Sequence, residues 1–143
     1  MRYIVATDGS EEAEAAVGYA SGQAAAFGAT LDVVHVLTPE TKLVDGELVL
    51  AGGSRALELG ERTLREARRL ATDATDEGAE RLAVETQLLT GTPADAIVEH
   101  RRATGADAIY VGHRGRSEQR ESTVGSVAKS VVDKATVPVT VIR

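Results

Sequence analysis

Two glycines three positions apart, Gly112 and Gly115, are followed after nine intervening residues by Gly125-Ser126. As a pattern this is G-x-x-G, nine residues, G-S. The apolar run Ala108-Ile109-Tyr110-Val111 ahead of it reads as a buried strand, and Gly125 to Val132 behind it reads as a helix. A glycine-punctuated loop between a strand end and a helix start lets backbone N–H groups converge on an anion. The stretch is therefore a candidate phosphate clamp. Gly112 and Gly115 can take backbone angles closed to other residues and let the main chain approach a ligand. His113, Arg114, Arg116 and Arg120 add donors or positive charge, partly offset by Glu118 and Glu121. The alternative is that the glycines only shape a sharp turn. A lone G-x-x-G would favour that alternative, but the second Gly-Ser at a helix start shifts the odds toward binding.

A second loop of interest is Ala6-Thr7-Asp8-Gly9-Ser10, after the first apolar run. The helix behind it opens Ser10-Glu11-Glu12, so its positive end already meets two carboxylates, and a phosphate there would meet like charge. The last helix opens Gly125-Ser126-Val127-Ala128 with no acid in its first turn. Phosphates therefore belong at the last helix, with Ser126 able to add a hydroxyl. Asp8 has two near-equal readings: an Asx-type turn former, or a carboxylate that accepts from ribose hydroxyls or helps hold Mg²⁺. His35 reads as a hydrogen-bonded strand residue and His100 as part of an exposed helix face. Neither pairs with His113 at metal-ligand spacing. No serine carries a nucleophile elbow, so a hydrolase triad is not expected.

The elements that must position these residues alternate. Tyr3–Ala6 reads as a strand. A helix with Ser10 as N-cap follows, burying Ala13, Val17, Ala20, Ala24 and Phe27 and ending at Gly28. Leu31–Leu37 is a second strand. Between Thr38 and Ser54 the pattern is lost, and Leu43-Val44 and Leu48-Val49-Leu50 around Asp45-Gly46 form either a small hairpin or a loop. A long helix from Arg55 to about Glu77 puts Leu57, Leu64, Ala67, Leu70, Ala71 and Ala74 on one side and mixed charges on the other. Leu82–Thr90 is a strand, Thr92-Pro93 opens a helix to near Gly105, and Val137–Ile142 closes the chain as a strand. The order βαβαβαβαβ implies an α/β fold: one domain over residues 1–143, with a doubly wound, Rossmann-like parallel sheet of five strands and helices on both faces.

The 143 residues suffice for a substantial core, and 43% hydrophobic with 27% charged composition is that of a globular chain. A net charge of −6 argues against a nucleic-acid-coating surface. The absence of Cys excludes disulfides and thiolate chemistry. No apolar run of membrane-spanning length and no signal-peptide pattern at Met1-Arg2-Tyr3-Ile4-Val5 is present, so a cytoplasmic location is expected.

With these residues in view, the chain resembles the universal stress protein family, specifically its ATP-binding branch, over nearly its whole length. The matching stretches are Thr7-Asp8-Gly9-Ser10 after the opening strand, His35-Val36 ending the second, Gly91-Thr92-Pro93, and the closing Val137-Pro138-Val139-Thr140-Val141-Ile142. The most specific match is the complete glycine motif of Gly112, Gly115, Gly125 and Ser126. The resemblance implies an adenine nucleotide, with Ala6, Thr7, Asp8 and Val36 around adenine and ribose. Val111, Gly112, His113, Gly115 and Arg116 would line it along the loop, and Gly125, Ser126 and Val127 would hold the phosphates. It also implies accompanying Mg²⁺ or Mn²⁺, and a homodimer through the last strand, whose edge is otherwise unpaired. At most slow ATP hydrolysis is expected, because no residue near the loop is an evident general base. One departure is that Ser117–Thr123, ahead of the Gly-Ser, is nearly all polar, where the family often has apolar residues. The rival reading is a nucleotide-independent interaction module of the same fold. An adenylating ligase ranks last, since S-G-G-x-D-S is absent.

Overall fold

Ser10 and Gly28 bracket the first helix as their chemistry dictates. The Ser10 hydroxyl accepts from the Ala13 N–H at 3.2 Å, and Gly28 takes the left-handed conformation, φ +67°, that ends the helix. The structure, a computed structural model, describes residues 1–38, 42–44, 47–49, 53–74, 82–114 and 124–143. In chain order the elements are β1 (Arg2–Ala6), α1 (Glu11–Phe27), β2 (Thr30–Leu37), β3 (Lys42–Val44) and β4 (Glu47–Val49). These are followed by α2 (Ser54–Asp73), β5 (Val84–Thr90), α3 (Pro93–Thr104), β6 (Ala108–Gly112), α4 (Ser126–Lys134) and β7 (Val139–Ile142).

Five strands form one sheet in the order β5-β2-β1-β6-β7, every pairing parallel. Strand residues alternate between two apolar clusters. Tyr3, Val5, Leu31, Val33 and Tyr110 pack with α1 and α2, and Ile4, Val34, Ile109 and Val111 pack with α3 and α4. Each crossover thus covers one face of a sheet whose central strands are apolar on both sides. The segment between β2 and α2 resolves in favour of the hairpin, with β3 and β4 antiparallel and Leu43 opposite Leu48.

Several expectations need correction. Phe27 is 61% exposed, being the last residue of α1 and already beyond the end of the sheet-facing stripe. Leu57 is 42% exposed; the buried stripe of α2 is Ala56, Gly60, Leu64, Ala67 and Ala71, and Leu57 lies a third of a turn away from it. Gly60 was not singled out by periodicity. A Cβ there would meet Leu88 Cδ1 at 2.9 Å and His35 Cδ2 at 3.2 Å, so the glycine lets α2 press onto β2 and β5.

Candidate functional site

The strand order fixes where a crevice opens. The chain leaves β1 through α1 on one face and leaves β6 through α4 on the other, so these neighbours form the switch point of the sheet, where ligands bind outside the carboxyl ends. Val5 lies opposite Tyr110, which carries Ala6 and Thr7 alongside Val111 and Gly112. On the other side Ala6 pairs with Val34, leaving Val36 two residues further along β2 at the same end.

The β1–α1 loop is held from below and within. The Thr7 N–H donates to the Val34 carbonyl at 2.9 Å, and its hydroxyl accepts from the Gly9 N–H at 3.1 Å. The Asp8 carboxylate accepts from the Ser10 N–H at 3.0 Å. One Asp8 oxygen thus closes an Asx turn, and Gly9 takes the left-handed angle, φ +81°, that this turn requires. His35 Nδ1 lies 2.8 Å from the Thr7 carbonyl oxygen, which can only accept, so this nitrogen carries the proton. The strand histidine thus pins the loop from β2.

Across the crevice, Gly112 has no left-handed angle, contrary to expectation. Its constraint is space: a Cβ there would sit 2.9 Å from the carbonyl carbon of Glu12 and 3.0 Å from the Ala13 nitrogen. The first turn of α1 therefore rests directly on the end of β6. Arg114 and Glu12 reinforce this contact with an ion pair at 3.2 Å. The His113 N–H donates to the Ile142 carbonyl at 2.8 Å, and the His113 carbonyl accepts from the Gly125 N–H at 2.5 Å. The end of β6 is thereby tied both to β7 and to the start of α4. Gly115 and Arg116, with the rest of residues 115–123, lie outside the described residues.

The two helix starts differ as their sequences dictate. α1 has its side-chain cap and three acids in its first turn, Glu11, Glu12 and Glu14. α4 begins at Gly125 with no side-chain cap and no acid in its first turn. Gly125 itself is buried and has ordinary extended angles, φ −68° and ψ 162°, so the glycine does not relieve backbone strain there. The Val127 side chain, in the first turn of α4, is exposed. Ala6, Thr7, Asp8, Val36, Val111, Gly112, His113, Gly125 and Ser126 are thus gathered at one end of the sheet.

His100 is the clear correction among the histidines. Its Nε2 lies 2.7 Å from an oxygen of Asp32, which is only 3% exposed, and Arg2 approaches the same oxygen at 3.6 Å. Arg2 also donates to Glu85 at 2.6 Å. That hydrogen bond, with the attraction of the guanidinium, holds the Glu85 carboxyl below the usual carboxylate range. These groups, with Arg68 and Thr104, line a groove of about 520 Å³ between α3 and edge strand β5, towards the amino ends of the strands. Its charges largely neutralise one another, as expected of a tie between α3 and the sheet. Asp32 inside an apolar strand was the signal that α3 must bring it a partner. Among the described residues, no group of three or more His, Cys, Asp or Glu is placed to hold a metal.

The universal stress protein family model matches residues 1–143, the whole length of this sequence. The chain belongs to the universal stress protein family. Among its relatives, a universal stress protein of Thermus aquaticus is 34% identical over 140 residues, covering 98% of this chain and 96% of that protein. Universal stress protein YxiE of Bacillus subtilis is 30% identical over 146 residues, covering 99% and 98%. Among solved structures, a universal stress protein from Archaeoglobus fulgidus in complex with dAMP has a TM-score of 0.75 at 26% identity, covering 100% of this chain and 98% of that one. A universal stress protein in complex with cAMP has a TM-score of 0.71 at 27% identity, covering 100% and 96%. This universal stress protein shares their α/β architecture, and none of its described helices is long and apolar enough to cross a membrane.

Proposed function

We propose that this universal stress protein binds an adenine nucleotide, ATP foremost, in the crevice between β1 and β6 and serves as a sensor or regulator with at most slow hydrolysis. The observation that carries the reading is the contrast between the two helix starts that flank the crevice. α1 is capped and acidic, and α4 has neither cap nor acid. Phosphates go to Gly125, Ser126 and Val127, where backbone N–H groups and the helix dipole favour negative charge. Adenine and ribose lie over Ala6, Thr7, Asp8 and Val36, with Val111, Gly112, His113, Gly115 and Arg116 along the other wall. Relatives in complex with cAMP and dAMP support an adenine nucleotide as the ligand class. Mg²⁺ or Mn²⁺ accompanies the phosphates, with Asp8 as the protein-side contact.

The same reading includes a cytoplasmic homodimer joined through β7. Isothermal titration of the purified chain with ATP and AMP in the presence of Mg²⁺ tests the nucleotide. Saturable binding is expected, and no binding at millimolar ligand sinks the proposal in favour of a nucleotide-independent interaction module.

A further inference from the structure

Among the described residues, His113 is one of the buried side chains with a polar atom left without a partner. It is 8% exposed, and its Nδ1 is shut off from water with no hydrogen-bond partner among the described residues. A buried polar atom without a partner loses its hydration and gains no hydrogen bond in return. Its neighbours on β6 show which way it faces. Val111 packs with the α3/α4 cluster, and the missing Cβ of Gly112 would point at α1. Continued by one residue, the alternation carries His113 to the side of α4, whose N-cap Gly125 is already bonded to the His113 carbonyl.

We infer that the His113 imidazole donates through Nδ1–H to a phosphate oxygen seated at the start of α4, so that this chain recognises the phosphate with a side chain as well as with backbone. The inference rests on the nucleotide reading above and deepens it. A phosphate oxygen at this site carries no proton and needs a donor, and the imidazole supplies one by choice of tautomer. Because the fold already shields Nδ1 from solvent, a hydrogen bond to phosphate gives up little hydration at that atom, and its strength goes into affinity for charged phosphate. Adenosine, which lacks the group, gains nothing from it.

Three substitutions separate this from a packing role. Asn places a donor where Nδ1 sits, Gln places one where Nε2 sits, and Leu removes both. Titration calorimetry with ATP and with adenosine, on variants whose melting curves show a folded chain, is the measurement. His113→Leu and His113→Gln are expected to weaken ATP roughly 10-fold, with His113→Asn close to wild type and adenosine unchanged throughout. Equal ATP affinity in wild type and His113→Leu, or a parallel loss of adenosine, overturns the inference while leaving nucleotide binding intact. A wild-type chain that binds neither ligand overturns the nucleotide reading and the inference together.

Discussion

Gly112 and Glu12 touch so closely that a single methyl group on the glycine would lie 2.9 Å from the carbonyl carbon of Glu12. The glycine motif therefore begins with a packing requirement, the seating of α1 on the end of β6, before any ligand is considered. Gly112→Ala forces backbone against backbone, which neither side chain can relieve. A loss of about 1–3 kcal/mol in urea unfolding is expected, with weaker nucleotide binding because both walls of the crevice shift. Unchanged stability would show that α1 rides up without cost.

Gly125→Glu acts differently. It places a carboxylate at the start of α4, where a phosphate is proposed to sit, and gives that helix the acidic start α1 already has. Nucleotide binding should fall below detection in calorimetry, read on a variant whose melting curve shows a folded chain, since Gly125 is buried. Retained affinity would move the phosphates elsewhere.

At the opposite end of the sheet, His100→Ala strips the buried Asp32 carboxylate of its hydrogen-bond partner at 2.7 Å and leaves, among the described residues, Arg2 at 3.6 Å. A destabilisation of about 1–3 kcal/mol is expected in chemical unfolding. Nucleotide affinity should be unchanged, because the groove and the crevice lie at opposite ends of the strands. Coupled losses of both would tie the two ends together.

Tyr110 lies between Tyr3 and Tyr19, ring centroids 5.8 and 6.1 Å away. Burial, and then the neighbouring phenols, push its ionisation above the ordinary tyrosine value of about 10. The folded state thus disfavours the phenolate. Its contribution to stability is complete below about pH 10 and is lost as pH rises through the raised value. Comparing the 295 nm absorbance of wild type and Tyr110→Phe, the step missing from the variant should lie above pH about 10. A Tyr110 step at or below that value would refute it.

The β6–β7 ladder uses the Pro138 and Ile142 carbonyls, so the backbone groups of Val139 and Val141 face outward along the sheet edge. A homodimer paired through that edge should appear in sedimentation velocity at micromolar concentration. Val141→Pro deletes one outward N–H without touching the ladder to β6 and should shift the chain toward monomer. A monomeric wild type would end the idea.

The sequence by itself determined the order of the elements, because caps such as Ser10 and Gly28 and the apolar strand runs are local signals. It also determined the contrast between the two helix starts, which depends only on which residues occupy the first turns. Where periodicity gave only a rough face, as at Leu57 and Phe27, the angle of packing decided exposure. Tertiary structure alone decided that Gly112 and Gly60 are spacers, since the atoms they make room for, in Glu12 and Leu88, lie far away in sequence. It alone moved His100 from a solvent face to Asp32, and it alone left the His113 Nδ1 buried without a partner among the described residues. Local propensity follows from neighbours along the chain. A close approach, an ion pair across elements or an unsatisfied atom depends on which distant segments the sheet brings together, and no single stretch of sequence contains that information.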